Sequence, residues 1–268
     1  MSEVLPKIRR KQIMDLLGEG KRIDGRGPSD YREIAIRVGT IENAIGSAEV
    51  SMGGTKVIAG VKMEVGEPFH DTPDEGALIV STQLLPISSP TAKPGRPTEG
   101  EIILGRVIDR AVRSSEAVDL NQLCIRKGEK AFALFIDIGV LNQDGNLPDS
   151  CMIATLSALM SAQVRDYSLK RGEIEFGTSY KPFPLKKHPL LVTVEKIGSH
   201  LIVDPCLDEE LAADATINIG IDDDGNICAL LKGGGTFTAE EIQRSIDIAT
   251  SKYGELIKTV QMNIGKKT

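Results

Sequence analysis

Three arginines, Arg106, Arg110 and Arg113, recur at intervals of four and three where the sequence reads as a helix. Those intervals bring the guanidiniums onto one helical face. A planar guanidinium suits bidentate contact with phosphate, so the row has the chemistry to grip a nucleic-acid backbone. A solvated face, or ion pairs to a neighbouring subunit, is the commoner fate of such residues, and the residues alone favour it. A second constellation is acidic: Asp204, Asp208, Glu209, Glu210 and Asp214 gather at a strand end and the loop behind it. Clustered carboxylates can hold a divalent ion or supply a general acid. A solvated loop, with Asp208-Glu209-Glu210 opening a short turn, is the more frequent explanation.

Other groups carry less. Asp222-Asp223-Asp224-Gly225 resembles the start of a calcium loop but lacks the later bidentate Glu, which leaves a hairpin turn. Gly233-Gly234-Gly235 could bring amides to a phosphate, yet it lacks the Lys-Ser/Thr ending of a phosphate-binding loop. It reads as a bend before the last helix. Cys124, Cys151, Cys206 and Cys228 show no metal or redox spacing and read as buried small hydrophobes in a reducing cytoplasm. With only His70, His188 and His200 beside them, a metal site of nitrogen and sulfur ligands is not expected. No Ser-His-Asp or Cys-His arrangement follows from spacing.

The elements that must position these groups alternate in character. Met1 to Gly20 mixes basic and apolar residues as an amphipathic helix does, unlike the unbroken apolar block of a secretory signal. Strand patterns follow at Ile34 to Val38, Ala48 to Met52 and Val57 to Val65, with a hairpin turn at Gly53-Gly54, and again at Ala77 to Leu85. After a proline-rich loop, Thr98 and Glu101 form a capping box. The helix it opens should bury Ile102, Ile103, Val107, Ile108, Ala111 and Val112. Ala131 to Leu141 reads as a strand, and Asp149 as the cap of a helix with its face at Met152, Leu156, Leu159, Met160 and Val164. Strands at Leu190 to Lys196, Leu201 to Asp204, Ala215 to Ile221 and Ile227 to Leu231 precede a last helix capped by Thr238 and Glu241. Strands then helices, twice over, predict an α+β protein of two similar lobes in one compact unit. The expected division is 1–20 for the N-terminal helix, 21–189 for the first lobe with its connecting segment, and 190–268 for the second.

The 268 residues are 41% hydrophobic and 26% charged, ordinary for a soluble globular chain, and no run approaches a membrane span. The net charge of −6 argues mildly against a free-standing nucleic-acid binder, which needs a basic surplus. It leaves room for a local basic stripe within an assembly. Aromatics make up 4%, without Trp, so base stacking on this chain is not expected to dominate.

The run Arg22-Ile23-Asp24-Gly25-Arg26, then Asp30-Tyr31-Arg32, the stretch Gly46 to Gly60 and the helix Gly105 to Arg113 together resemble the RNase PH family. Asp71-Thr72-Pro73, Leu84-Leu85-Pro86 and Val203-Asp204-Pro205 with Leu207-Asp208-Glu209-Glu210 are similar to the non-catalytic RNase PH-type subunits of the archaeal exosome. The resemblance covers nearly the whole chain. It implies two βαβα-type lobes with mixed sheets backed by helices, the ribosomal protein S5 domain 2-like fold. It also implies a cytoplasmic six-membered ring of three heterodimers with a catalytic RNase PH-type subunit, capped by S1- or KH-domain subunits. Such a ring degrades single-stranded RNA from its 3′ end by phosphorolysis. Phosphate, with magnesium as an option, would be used by the catalytic partner, and this chain would carry no cofactor.

In active relatives the loop before the second helix reads Asp-Gly-Gly-Thr/Ser-Arg and cups phosphate. Here it reads Asp144-Gly145-Asn146-Leu147-Pro148-Asp149: Pro148 replaces the arginine and lacks an amide proton. Asp149 is expected to add charge where the anion would sit, a repulsion of order 4 kcal/mol at ~4 Å and an effective dielectric near 20. Glu99-Gly100-Glu101 is acidic where active relatives place a further arginine. The resemblance thus implies a subunit that lends Arg106 and Arg110, and with less support Arg113, to the RNA path. The alternative is an active exoribonuclease using Asp208 and Asp214, which keep the interval of a catalytic aspartate and its neighbour. The shorter chain between Asp204 and Asp208 leaves open whether Asp208 reaches the same point.

Overall fold

The computed structural model describes residues 4–170 and 173–264, with side chains from Arg9 onward except at 170 and 173. Met1 to Glu3, part of the expected amphipathic helix, lie outside the described residues, as do 265–268. The chain runs α1 (Val4–Gly18), β1 (Ile34–Val38), β2 (Gly46–Met52), β3 (Thr55–Gly66), β4 (Ala77–Leu84), α2 (Glu99–Ser114), β5 (Cys124–Arg126) and β6 (Lys130–Asn142). Then come α3 (Leu147–Ser161), β7 (Gln163–Lys170), β8 (Glu173–Pro182), β9 (Leu190–Ile197), β10 (His200–Val203), α4 (Leu207–Ala212), β11 (Ala215–Ile221), β12 (Ile227–Gly234) and α5 (Ala239–Ile264).

Period-two alternation in β2 and β3 buries Ala48, Val50, Met52, Val57, Ala59 and Val61 on one face. Gly53 turns the hairpin at φ +54°, and a Cβ there would lie 2.5 Å from the Arg32 side chain. The first sheet has the order β1-β2-β3-β6-β4, with β5 on β6. Its only parallel pair, β4 with β6, is joined through α2, as a parallel connection requires. The second sheet, β10-β9-β11-β12, is antiparallel throughout, so only the first of the two sheets is mixed. β7 and β8 form a separate ribbon that periodicity had not announced.

Three helices lie against both sheets. α2 contacts β4 and β12, α3 contacts β2, β3 and β9, and α5 contacts β1, β9 and β11. The main hydrophobic core therefore draws on both lobes, from Val50, Ile108 and Leu134 to Leu191, Val192 and Ile219. α3 is buried on every side from Asp149 to Leu159, the signature of a core helix. A smaller core seats Ile13 and Leu17 of α1 on Ile197, Ile202 and Ala212.

Several expectations change. Ile102 and Ile103 are 48% and 42% exposed, because α2 faces β4 and β12 with Leu104, Val107, Ile108 and Ala111 instead. Val164 belongs to β7, the chain having become extended at Ala162. Asp149 is not a cap: Asn146 holds that place, which sets Asp149 inside the first turn. Asp208-Glu209-Glu210 lies in the short helix α4, and Gly233-Gly234 completes β12. Asp222 to Gly225, by contrast, is the hairpin turn expected of it, closed by Asp222 N–H on the Asn226 carbonyl at 3.1 Å. Cys151 and Cys228 are buried, while Cys124 and Cys206 are half-buried.

Candidate nucleic-acid interface

α2 is fixed at its first turn. Glu101 accepts from Thr98 N–H at 2.7 Å and from Leu84 N–H at 2.5 Å, while its own amide donates to Thr98 Oγ1. Burial works to raise the Glu101 pKa, but these bonds outweigh it and the carboxyl sits below its usual range. Glu101 is therefore consumed inside the fold and adds no free charge to the surface. The outward face then carries Ile102, Ile103, Arg106, Arg110 and Arg113, all exposed. Arg113 is engaged, pairing with Asp109 at 2.9 Å and donating to the Leu78 carbonyl at 3.1 Å. Arg106 and Arg110 form no ion pair or hydrogen bond among the described residues. Arg106 and Asp109 border a groove of about 310 Å³ between α2 and β4, with Val80, Thr82, Pro97 and Ile102 in its walls.

The loop from Asp144 to Asp149 is held by the protein's own groups. Gly145 sits at φ +81°, where a Cβ would lie 2.5 Å from the Pro205 carbonyl oxygen, so the segment before α4 is packed directly on it. The Gly145 carbonyl accepts from Thr55 Oγ1 at 2.6 Å, and Arg32 donates to the Asp144 carbonyl at 2.6 Å. The Asn146 amide donates to Glu210 Oε1 at 2.7 Å. A carboxylate thus already takes the loop amide. Asp149 does not present charge to an incoming anion. It turns inward, fully buried, accepting from Tyr31 Oη at 2.8 Å, Thr193 Oγ1 at 2.7 Å, Thr193 N–H at 3.1 Å and Asn146 Nδ2 at 3.0 Å. Burial pushes its pKa up to about 6 against those bonds. Burial likewise lifts Glu210 to about 7.

The acidic cluster is met by arginines from far along the chain. Asp204, fully buried at φ 47°, accepts from Arg32 at 2.7 and 2.9 Å, Arg26 at 2.9 Å and Asn146 Nδ2 at 2.8 Å. Burial would raise its pKa, but Arg32 above all holds it below the usual range. Arg22 and Glu209 form an ion pair with both side chains fully buried, and Arg22 also caps the Val203 and Asp204 carbonyls at 2.8 Å. Asp208 pairs with Arg9. Asp214 pairs with Arg10 at 2.7 Å and accepts from Gly198 N–H at 2.8 Å. Among the described residues no group of His, Cys, Asp and Glu is arranged to hold a metal. The five acids are brought together, whereas no hydrogen bond links them to the α2 row. Arg22, Arg26 and Arg32 stand in the turn-rich segment after α1. Their carboxylate partners in this cluster lie more than 170 residues away, so no local spacing announces those pairs.

Among the described residues no helix is long and apolar enough to cross a membrane. Residues 30–165 match the model of the 3′ exoribonuclease family, domain 1, and residues 188–252 that of domain 2. The exosome complex component Rrp42 of Thermococcus gammatolerans is 46% identical over 266 residues, spanning 98% of this chain and 97% of that protein. The component of the same name from Methanothermobacter thermautotrophicus is 40% identical over 258 residues, 96% of this chain and 95% of its own. A chain of the Archaeoglobus fulgidus exosome, solved with RNA bound to the active site, superposes with a TM-score of 0.88 at 38% identity. That match covers 96% of this chain and 99% of the other.

Proposed function

Given that this chain belongs to the RNase PH family of 3′ exoribonucleases, we propose that it is a non-catalytic, RNA-binding and structural subunit of a hexameric exosome ring. The ring would alternate it with a catalytic RNase PH-type subunit in the cytoplasm, under S1- or KH-domain caps, and degrade single-stranded RNA from the 3′ end by phosphorolysis. The second lobe, 190–268, and the first, 21–189, would act as one scaffold, with α1 tied to α4.

One observation carries the non-catalytic reading: the Asn146 amide of the loop that would cup phosphate is bonded to Glu210. No arginine follows in that loop, and Pro148 offers no amide proton. Asp208 and Asp214, the pair an active enzyme would use, are instead ion-paired to Arg9 and Arg10. The RNA-binding reading rests on Arg106 and Arg110, exposed cations with no carboxylate of their own, aligned on a helix face anchored by Glu101. A local stripe of this kind suits an acidic chain whose ring supplies the wider field.

The test is phosphate-dependent release of nucleoside diphosphate from a single-stranded oligoadenylate. The chain alone should be silent, and adding the catalytic partner should give turnover. Turnover by the isolated chain, abolished by Asp208→Ala, would make it an enzyme in its own right.

A further inference from the structure

The segment between β4 and α2 has an unusual balance of charge. From Leu85 to Thr98 it contains no acidic residue, yet it carries Lys93 and Arg96, both exposed. Neither forms an ion pair or hydrogen bond among the described residues. Elsewhere most cations are occupied. Of the arginines whose side chains are described, only Arg96, Arg106, Arg110 and Arg244 lack a partner, and three of those four fall within fifteen residues of one another. An exposed cation gains little from pairing, so no single one of these is informative, but three partnerless arginines and Lys93 so close together make a local positive field that suits a polyanion.

The segment is also held in place. Its base is tied to the end of β6, where Gln143 N–H donates to the Ser88 carbonyl at 3.0 Å. Internal turns close from Ser88 N–H to Leu85 and from Ala92 N–H to Ser89, at 2.8 and 3.0 Å. Pro86, Pro90, Pro94 and Pro97 restrict the backbone, which lowers the entropy lost when a ligand orders it. At its far end Pro97 enters the wall of the same groove that Arg106 borders. Arg96 is therefore delivered beside the arginine row, at the end of α2 opposite to Arg113.

Resting on the RNA path proposed above, we propose that Arg96, supported by Lys93, is a further phosphodiester contact that extends the track from α2 onto the β4–α2 segment. The ligand chemistry is the sugar-phosphate backbone of single-stranded RNA, bound without regard to base identity.

The experiment measures the affinity of the reconstituted ring, this chain with its catalytic partner, for an oligoadenylate and an oligouridylate across a salt series. Each lost phosphate contact on a single strand lowers the slope of log K against log salt by about 0.7. Arg96→Ala should lower the slope by about that amount and weaken both oligonucleotides equally, and adding Lys93→Ala should lower it further. Arg244→Ala, the remaining partnerless arginine, should leave it unchanged. An unaltered slope in Arg96→Ala, beside a clear loss in Arg106→Glu, overturns the extension while leaving the RNA path intact. If Arg106→Glu is silent too, the RNA path itself has failed. A ring that falls apart in sedimentation with Arg96→Ala, at unchanged salt slope, would instead assign the residue to a carboxylate of a neighbouring subunit.

Discussion

Arg22 and Arg106 present the same guanidinium in opposite circumstances. Around α4, Arg9, Arg10, Arg22, Arg26 and Arg32 are matched to Asp204, Asp208, Glu209 and Asp214, and the innermost pair has no exposure at all. On α2, the acids nearest Arg106 are spent elsewhere, Asp109 on Arg113 and Glu101 on Thr98 and Leu84. In the first region arginine welds segments of the chain that are distant in sequence. In the second it is kept available. What separates a structural from a functional arginine here is the fate of the nearest carboxylate, and neither residue type nor spacing reports that.

The contrast can be broken at several points. The largest effect should come from Arg22→Ala, which strands the Glu209 carboxylate in the interior and should cost about 3–5 kcal/mol in denaturant unfolding. The same change at Arg106 should stay within about 0.5 kcal/mol. Equal stability losses at the two positions would erase the distinction. A matched replacement, Arg22→Met with Glu209→Leu, should recover most of the loss, because removing both charges leaves none unpaired.

The welded region also carries more acid than it can neutralise. Glu195 on β9 is 3% exposed, accepts from Thr216 Oγ1 at 3.1 Å through one oxygen, and has no partner for the other. Burial, then the neighbouring Glu210, push its pKa up to about 8. The folded state thus holds a proton that the unfolded chain releases near pH 4.3. Stability from this group is full below that value and is lost as pH rises towards 8. Glu195→Gln should flatten that decline by a few kcal/mol, at about 1.4 kcal/mol per unit, in unfolding measured from pH 5 to 9. An unchanged slope would mean that the carboxylate is ionised and solvated. On the open side, Arg106→Glu or Arg110→Glu should lower the salt slope of RNA binding by the ring by about 0.7 or more each, with assembly intact. Among the ion-paired arginines the smallest effect belongs to Arg10→Ala. Its pair with Asp214 is about a third exposed on both sides, and its loss should cost within about 1 kcal/mol of thermal stability.

Much of the scaffold was legible because its rules are local. Thr98 with Glu101 and Thr238 with Glu241 cap helices as their spacing indicates, since a capping box is closed within four residues. Most strands of the two sheets followed from alternation or from short apolar runs, but β5 did not. The errors share a different cause. Ile102 and Ile103 looked like core, but β4 and β12 lie on the other side of α2, and only tertiary placement decides which apolar residues are covered. Asp149 looked like a cap and a source of repulsion. Asn146 in the left-handed region starts the helix earlier, and Thr193, 44 residues on, gives the carboxylate an interior home. The arginine row was visible as spacing. That two of its members are unpaired while the third is tied to Asp109 required the structure.

α3 is covered on one side by β2 and β3, which precede it in the chain, and on another by β9, which follows. On the ribosome the helix therefore emerges before its second cover exists. At a synthesis rate of roughly 5–20 residues per second, the stretch from Ala162 to the end of β9 at Ile197 takes on the order of a few seconds to appear. Throughout that interval Met152, Ile153, Leu156 and Leu159 belong to a half-closed core, and Asp149 waits for Thr193. The two lobes are thus bound together in time as well as in space. A chain stopped between them would display an adhesive helix rather than a smaller folded protein.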